Sequence, residues 1–70
     1  MRLSARNVLS GTVVEIITGA VTSHVRIDVG GGSIITASIT NDAVKELGLT
    51  SGAKASAVIK ASDVMVGVED

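Results

Sequence analysis

The chain has no cysteine, no phenylalanine, tyrosine or tryptophan, and a single histidine. Without cysteine it can form neither a disulfide nor a thiolate metal site, and one histidine cannot make a histidine cluster. The absence of aromatic side chains removes the platform on which nucleic-acid bases stack. A net charge of −1 also gives no basic stripe for phosphates. We therefore predict no nucleic-acid partner.

Long apolar segments are also missing. No run reaches the length that spans a membrane, and the N-terminus lacks the charged-then-apolar pattern of a secretory signal. We expect no membrane partner and a cytoplasmic location. The chain offers no cysteine nucleophile and no acid–base pair that its spacing identifies, so we predict that it is not an enzyme.

What the sequence does contain is aliphatic: 46% of its 70 residues are hydrophobic, mostly valine, isoleucine, alanine and leucine. Residues 1–70 can form one domain at most, and a core of this size gives a marginal monomer. Disulfides, metal sites and aromatic packing are excluded as ways to stabilise this small domain. Oligomerisation remains, because it buries apolar surface between copies, and we predict a homo-oligomer.

Runs rich in β-branched residues, separated by glycine turns, predict five short strands. In the second strand, alternation places one set of residues inward: Val21, Ser23, Val25, Ile27 and Val29. One helix is predicted between strands 3 and 4, with Thr40 as its N-cap and with Val44 and Leu47 facing inward. This order predicts an all-β fold, a small five-stranded OB-like barrel. The predicted strands cover residues 8–17, 21–29, 33–39, 54–60 and 63–68.

A small polar step, which includes Lys60 and Ser62, interrupts the apolar run between strands 4 and 5. A kink there would leave backbone N–H groups without ladder partners. Such N–H groups, together with an ammonium and a hydroxyl, suit a small oxyanion. The alternative is a strand bulge that happens to carry a surface lysine.

Several short motifs recur in an order typical of one family. The chain resembles the molbindins, or Mop proteins, single-domain molybdate-binding proteins of the TOBE-like class. The resemblance covers essentially the whole chain, and its first and last motifs are the most specific. These motifs are Ser4-Ala5-Arg6-Asn7, Gly11-x-Val13, Gly19-x-Val21, Gly30-Gly31, Ile39-Thr40, Leu47-Gly48-Leu49, Gly52 and Ile59-Lys60-Ala61-Ser62.

The resemblance implies a cytoplasmic protein that binds molybdate or tungstate at subunit interfaces, for molybdenum storage or homeostasis. It also implies a homohexamer, a trimer of dimers, in which strands are shared between subunits. The alternative function is a structural or regulatory oligomerisation module that passes molybdate to a partner.

The resemblance further implies which residues bind the oxyanion. In related domains a serine often stands three residues after the threonine that corresponds to Thr40. Here Ala43 occupies that position, so only its backbone N–H, in the first helical turn, remains as a donor. Other interpretations remain open: Arg6 as a surface or ion-pairing arginine, and Thr40 as a cap whose hydroxyl is occupied. The implied binding set is Ser4, Ala5, Arg6, Thr40, Ala43, Lys60, Ala61 and Ser62. A second oxyanion site is implied at Thr18, Gly19, Ala20 and Val21.

Overall fold

A computed structural model describes residues 2–69 and shows four strands, one short α-helix and one turn of 3-10 helix. The predicted all-β class, with its helix between the third and fourth strands, is confirmed. The elements are β1 (Asn7–Thr18), β2 (Thr22–Gly30), β3 (Ser33–Thr40), α1 (Asn41–Glu46), β4 (Lys54–Ile59) and the 3-10 turn (Ala61–Asp63).

The four strands form one antiparallel sheet in the order β3-β2-β1-β4, which curls into half of a barrel. Gly31 and Gly32 join β2 to β3, and both have positive φ, as a tight hairpin turn with right-handed strand twist requires. In β1 the register shifts between Val13 and Glu15, so Val14 is a bulge that bends this long strand. The bend helps the sheet to curl.

The hydrophobic core is small. Among residues 2–69, the buried hydrophobic side chains are Val13, Val25, Ile27 and Ala57. Gly11 lies where β1 crosses closest to β2, and a Cβ there would stand 2.3 Å from the carbonyl oxygen of Asp28. Only glycine permits this close approach of the two backbones.

Two residues predicted to face inward do not. Leu47 is 67% exposed because it is the C-cap of α1, and Leu49, beyond the helix, packs against the core in its place. Val21 is 71% exposed because it lies in the turn before β2 rather than in the strand. The other inward positions of the second strand, and Val44, are confirmed as buried or partly buried.

The predicted fifth strand is not formed within one chain. The backbone turns after β4, where the N–H of Asp63 donates to the carbonyl of Lys60 at 2.9 Å and that of Val64 to Ala61 at 3.3 Å. These local bonds direct the chain away from the sheet. Residues 64–69 follow without regular secondary structure and without a ladder partner among residues 2–69. A strand needs a neighbour, and β-propensity alone does not supply one.

The chain is more open than its mass requires. Its accessible surface is 5374 Å², whereas a compact monomer of this size exposes about 4,000 Å². Its radius of gyration is 12.9 Å, against about 11 Å for a compact chain of 70 residues. The concave side of the sheet is an open groove of about 1030 Å³, lined mainly by apolar side chains. Within residues 2–69, no helix has the length and apolar character needed to cross a membrane.

Candidate functional site

The antiparallel pairing of β1 with β4 brings two of the predicted binding motifs to one end of the sheet. Asn7 lies opposite Ile59, and its side-chain Nδ2 donates to the Ile59 carbonyl at 3.2 Å. The next residues outward on the two strands are Arg6 and Lys60. We call residues 4–6 and 60–62 together the Arg6–Lys60 corner.

This corner offers hydrogen-bond donors. Arg6 and Lys60 are cations without acceptor atoms, and the hydroxyls of Ser4 and Ser62 can rotate to donate. Lys60 is the N-cap of the 3-10 turn and makes no side-chain cap bond. The backbone N–H groups of Ala61 and Ser62, at the start of the turn, have no acceptor within it, as is general for the first residues of a helix. All these polar side chains are exposed. These donors are open to an anion that approaches from solvent.

The remaining predicted residues lie together elsewhere. Thr40 pairs with Thr22 at the end of β3, beside the turn of residues 18–21 that joins β1 to β2. We call Thr40, Ala43 and residues 18–21 the Thr40 corner.

Capping uses part of this corner. The backbone N–H of Ala43 donates to Thr40 Oγ1 at 3.0 Å. The expectation that this N–H would be available to a ligand is therefore wrong, because the cap hydroxyl accepts it. The Thr40 hydroxyl retains its own proton, which it can donate outward while its oxygen accepts the N–H of Ala43. Thr40 can thus cap the helix and still donate one hydrogen bond.

Asn41 fixes the turn against the start of the helix, and nothing in the sequence reasoning assigned it this role. Its backbone N–H donates to the Val21 carbonyl at 2.8 Å, and its Nδ2 donates to the Gly19 carbonyl at 3.0 Å. Its Oδ1 accepts the hydroxyl of Ser23 at 2.5 Å. Ser23 is only 1% exposed. A serine among inward-facing valines needs a buried hydrogen-bond partner. The position of Ser23 in the sequence could therefore have predicted that a polar side chain packs against it.

The two corners lie at opposite ends of β1. Twelve residues of strand separate them, which corresponds to roughly 35 Å, close to the longest dimension of the molecule, 38 Å. One chain therefore cannot bring both halves of the predicted binding set to the same small ion. The structure joins residues 4–6 with 60–62, and Thr40 and Ala43 with the turn of residues 18–21.

A metal cation would need a cluster of side-chain ligands. Within residues 2–69 no group of three histidine, cysteine, aspartate or glutamate side chains is placed to hold one. His24 is exposed on the outer face of β2, opposite Ile17 on one neighbouring strand and Ser38 on the other.

Known proteins resemble this chain over its whole length. The TOBE domain family model matches residues 3–66. A probable molybdenum-pterin-binding protein of Haemophilus influenzae is 52% identical over 69 residues, which are 99% of this chain and 100% of the relative. MopII from Clostridium pasteurianum superposes with a TM-score of 0.88 at 45% identity and covers 96% of this chain and 100% of its own.

A second solved structure contains a bound ligand. The cytoplasmic molybdate-binding protein ModG, solved with molybdate bound, superposes with a TM-score of 0.94 at 58% identity. The match covers 99% of this chain and 49% of the ModG chain.

Proposed function

The chain belongs to the Mop family of TOBE domains, as its motifs predicted, and from this we propose that it binds molybdate or tungstate in the cytoplasm for molybdenum storage or homeostasis. We propose residues 1–70 as one Mop domain with no catalytic activity; the relatives compared above are described as binding proteins. The observation that carries the proposal is the Arg6–Lys60 corner, where the β1–β4 register gathers two cations and two hydroxyls.

The chemistry of this corner suits the ligand. Molybdate is a tetrahedral dianion with four acceptor oxygens and, near neutral pH, no proton to donate. A site for it should therefore present donors. Arg6 and Lys60 supply charge, and Ser4 and Ser62 supply hydroxyl protons. The N–H groups at Ala61 and Ser62 add fixed dipoles at the start of the 3-10 turn.

The site is completed between subunits. An anion held at the Arg6–Lys60 corner is too far from Thr40 and Ala43 of the same chain to touch them. The Thr40 hydroxyl of a second copy supplies a further donor instead, whereas the N–H of Ala43 is already bonded to the cap. In this arrangement the Thr40 hydroxyl donates to the anion while it caps α1. Binding then requires an assembled protein.

The open surface supports an oligomer, which we propose is a hexamer built as a trimer of dimers. The single chain exposes roughly 1,300 Å² more than a compact monomer of its mass. A standard interface buries about 800 Å² on each partner. Residues 64–69 have no strand partner among residues 2–69, and Met65, Val66 and Val68 are among the most exposed apolar side chains.

We propose that residues 64–69 of a second copy enter the groove and complete the barrel. The groove lies between the two sheet edges, β3 and β4, and Ile35, Ile39 and Ile59 contribute to its lining. A segment whose Val64, Val66 and Val68 share one face can bury that face there. It would thereby become the fifth strand that the sequence predicted, shared between subunits.

A second oxyanion site is proposed at Thr18, Gly19, Ala20 and Val21. This turn is exposed and contains a glycine, so backbone N–H groups can approach a ligand closely. Copies of the turn would have to meet around a symmetry axis to surround an anion.

Titration calorimetry with molybdate tests the proposal on the parent, Lys60→Ala and Lys45→Ala proteins. Loss of a charge-assisted hydrogen bond weakens binding by about 1.5–3 kcal/mol, or roughly ten- to more than a hundredfold. Lys45, exposed in the last turn of α1, is the matched control and should leave binding unchanged. Native mass spectrometry on each protein gives the subunit number and the bound anions. Equal affinity of Lys60→Ala and parent would place the site elsewhere.

Assembly without any molybdate binding would instead favour a purely structural oligomerisation module, because a module that passes molybdate to a partner must also bind it. A folded monomer at micromolar concentration would contradict the proposed assembly.

A further inference from the structure

We propose that Asn41 is a positioning residue for the second oxyanion site. It orients the Gly19–Ala20 peptide so that the Ala20 N–H, rather than the Gly19 carbonyl, faces a bound anion. This inference rests on the proposed function, since it concerns the turn of residues 18–21 as an oxyanion site. Asn41 itself does not touch the anion.

Hydrogen bonds to Asn41 orient the turn. The carbonyls of Gly19 and Val21 both point toward Asn41, where they accept from Nδ2 at 3.0 Å and from the backbone N–H at 2.8 Å. Two acceptor groups of the turn are thus directed at the start of the helix. An oxyanion bound on the other side of the turn does not meet them.

The geometry of the peptide bond then sets the direction of a donor. Every peptide bond described is trans, so the N–H of Ala20 points opposite to the Gly19 carbonyl. With that carbonyl held by Asn41, the Ala20 N–H points away from the helix. If the peptide turned over, the carbonyl oxygen would face the anion and repel it.

Position 19 makes such a flip possible. A Cβ there would lie 2.7 Å from the Thr22 carbonyl oxygen, so the turn requires glycine, and glycine has the freest backbone of all residues. The bond from the Gly19 N–H to the Thr22 carbonyl, 2.9 Å, closes the turn but does not fix the Gly19–Ala20 peptide plane. The side chain of Asn41 supplies that constraint.

An asparagine is suited to this role because it needs both a donor and an acceptor. Its Oδ1 accepts the hydroxyl of buried Ser23, while its Nδ2 donates to the Gly19 carbonyl. Aspartate has the same shape but offers only acceptors, and one of its oxygens would face that carbonyl. The two residues should therefore differ in function even where the fold tolerates both.

The test follows the backbone amide resonance of Ala20 by NMR while molybdate is added to the assembled protein. In the parent, this resonance should shift as the second site fills. Asn41→Ala removes the donor without adding charge, and Asn41→Asp replaces it with an acceptor. Both should weaken molybdate binding at the turn by about tenfold or more, the effect of one lost hydrogen bond. Binding at the Arg6–Lys60 corner, followed through the Ser62 amide, should change less.

Ser23→Ala is the matched control, because it removes a hydrogen bond to Asn41 but leaves the Nδ2 donor. It should lower the melting temperature and retain the molybdate-induced shift of Ala20. A purely structural role for Asn41 predicts instead that Ser23→Ala and Asn41→Ala behave alike, and that result would overturn the inference.

The parent alone also decides the matter if the Asn41 variants do not assemble. An Ala20 amide that stays unshifted while the Ser62 amide responds to saturating molybdate refutes the inference and leaves the proposed function standing. Absence of any molybdate response in the parent, at either amide or by calorimetry, refutes the proposed function itself.

Discussion

Replacement of Val66 by aspartate should dissociate the assembly. Val66 is 90% exposed in the single chain, on a segment without a strand partner. If this segment fills the groove of a second copy, Val66 becomes buried there. Burial of a valine contributes about 1.5–3 kcal/mol, so a reciprocal pair of segments gains roughly 3–6 kcal/mol from this side chain. Aspartate would lose that gain and place an unpaired carboxylate in an apolar groove.

The expected result is a shift from the proposed hexamer to smaller species at micromolar concentration. Loss of 3 kcal/mol alone raises a dissociation constant by roughly a hundredfold. Light scattering coupled to size exclusion measures the mass, with detection by refractive index because the chain has no tryptophan, tyrosine or cysteine. The melting temperature should also fall, because assembly no longer stabilises the folded chain to the same extent.

Met65→Asp is the control, since Met65 would point to the opposite face from Val66 once the segment pairs as a strand. Alternation of side chains along a strand predicts that Met65→Asp disturbs the assembly less than Val66→Asp. An unchanged mass and melting temperature for Val66→Asp would refute the reasoning that the segment completes a barrel.

Four further outcomes test other parts of the molecule. Gly11→Ala should lower the free energy of unfolding by about 1–3 kcal/mol in a denaturant titration, because its Cβ would meet the Asp28 carbonyl oxygen at 2.3 Å. Thr40→Ala should cost about 1 kcal/mol of stability through loss of the cap, and Thr40→Ser should recover most of it. Arg26→Ala should change the melting temperature little, because its 3.2 Å ion pair with Glu15 is solvent-exposed. Molybdate at 100 times its dissociation constant should stabilise the assembly by about 2.7 kcal/mol per site, whereas sulfate at equal ionic strength should not.

The sequence by itself determined the local structure. Period-two alternation in residues 21–29 indicated which side chains turn inward, correctly except at Val21, because successive side chains of a strand point to opposite faces. The threonine before α1 predicted the N-cap that the structure shows. The family followed from short motifs spread over the whole chain, and the family model confirms it. The proposed binding residues stay a prediction.

Only the tertiary structure decided how distant segments meet. The β1–β4 register places Arg6 near Lys60, although 53 residues separate them in sequence, and no local pattern specifies that pairing. The structure also separated Thr40 from this corner by the length of β1. It showed that the apolar residues 64–69 lack a strand neighbour, which β-propensity cannot reveal because ladder hydrogen bonds require a second strand. Asn41 emerged only from the fold, since its three hydrogen bonds join residues up to 22 positions apart.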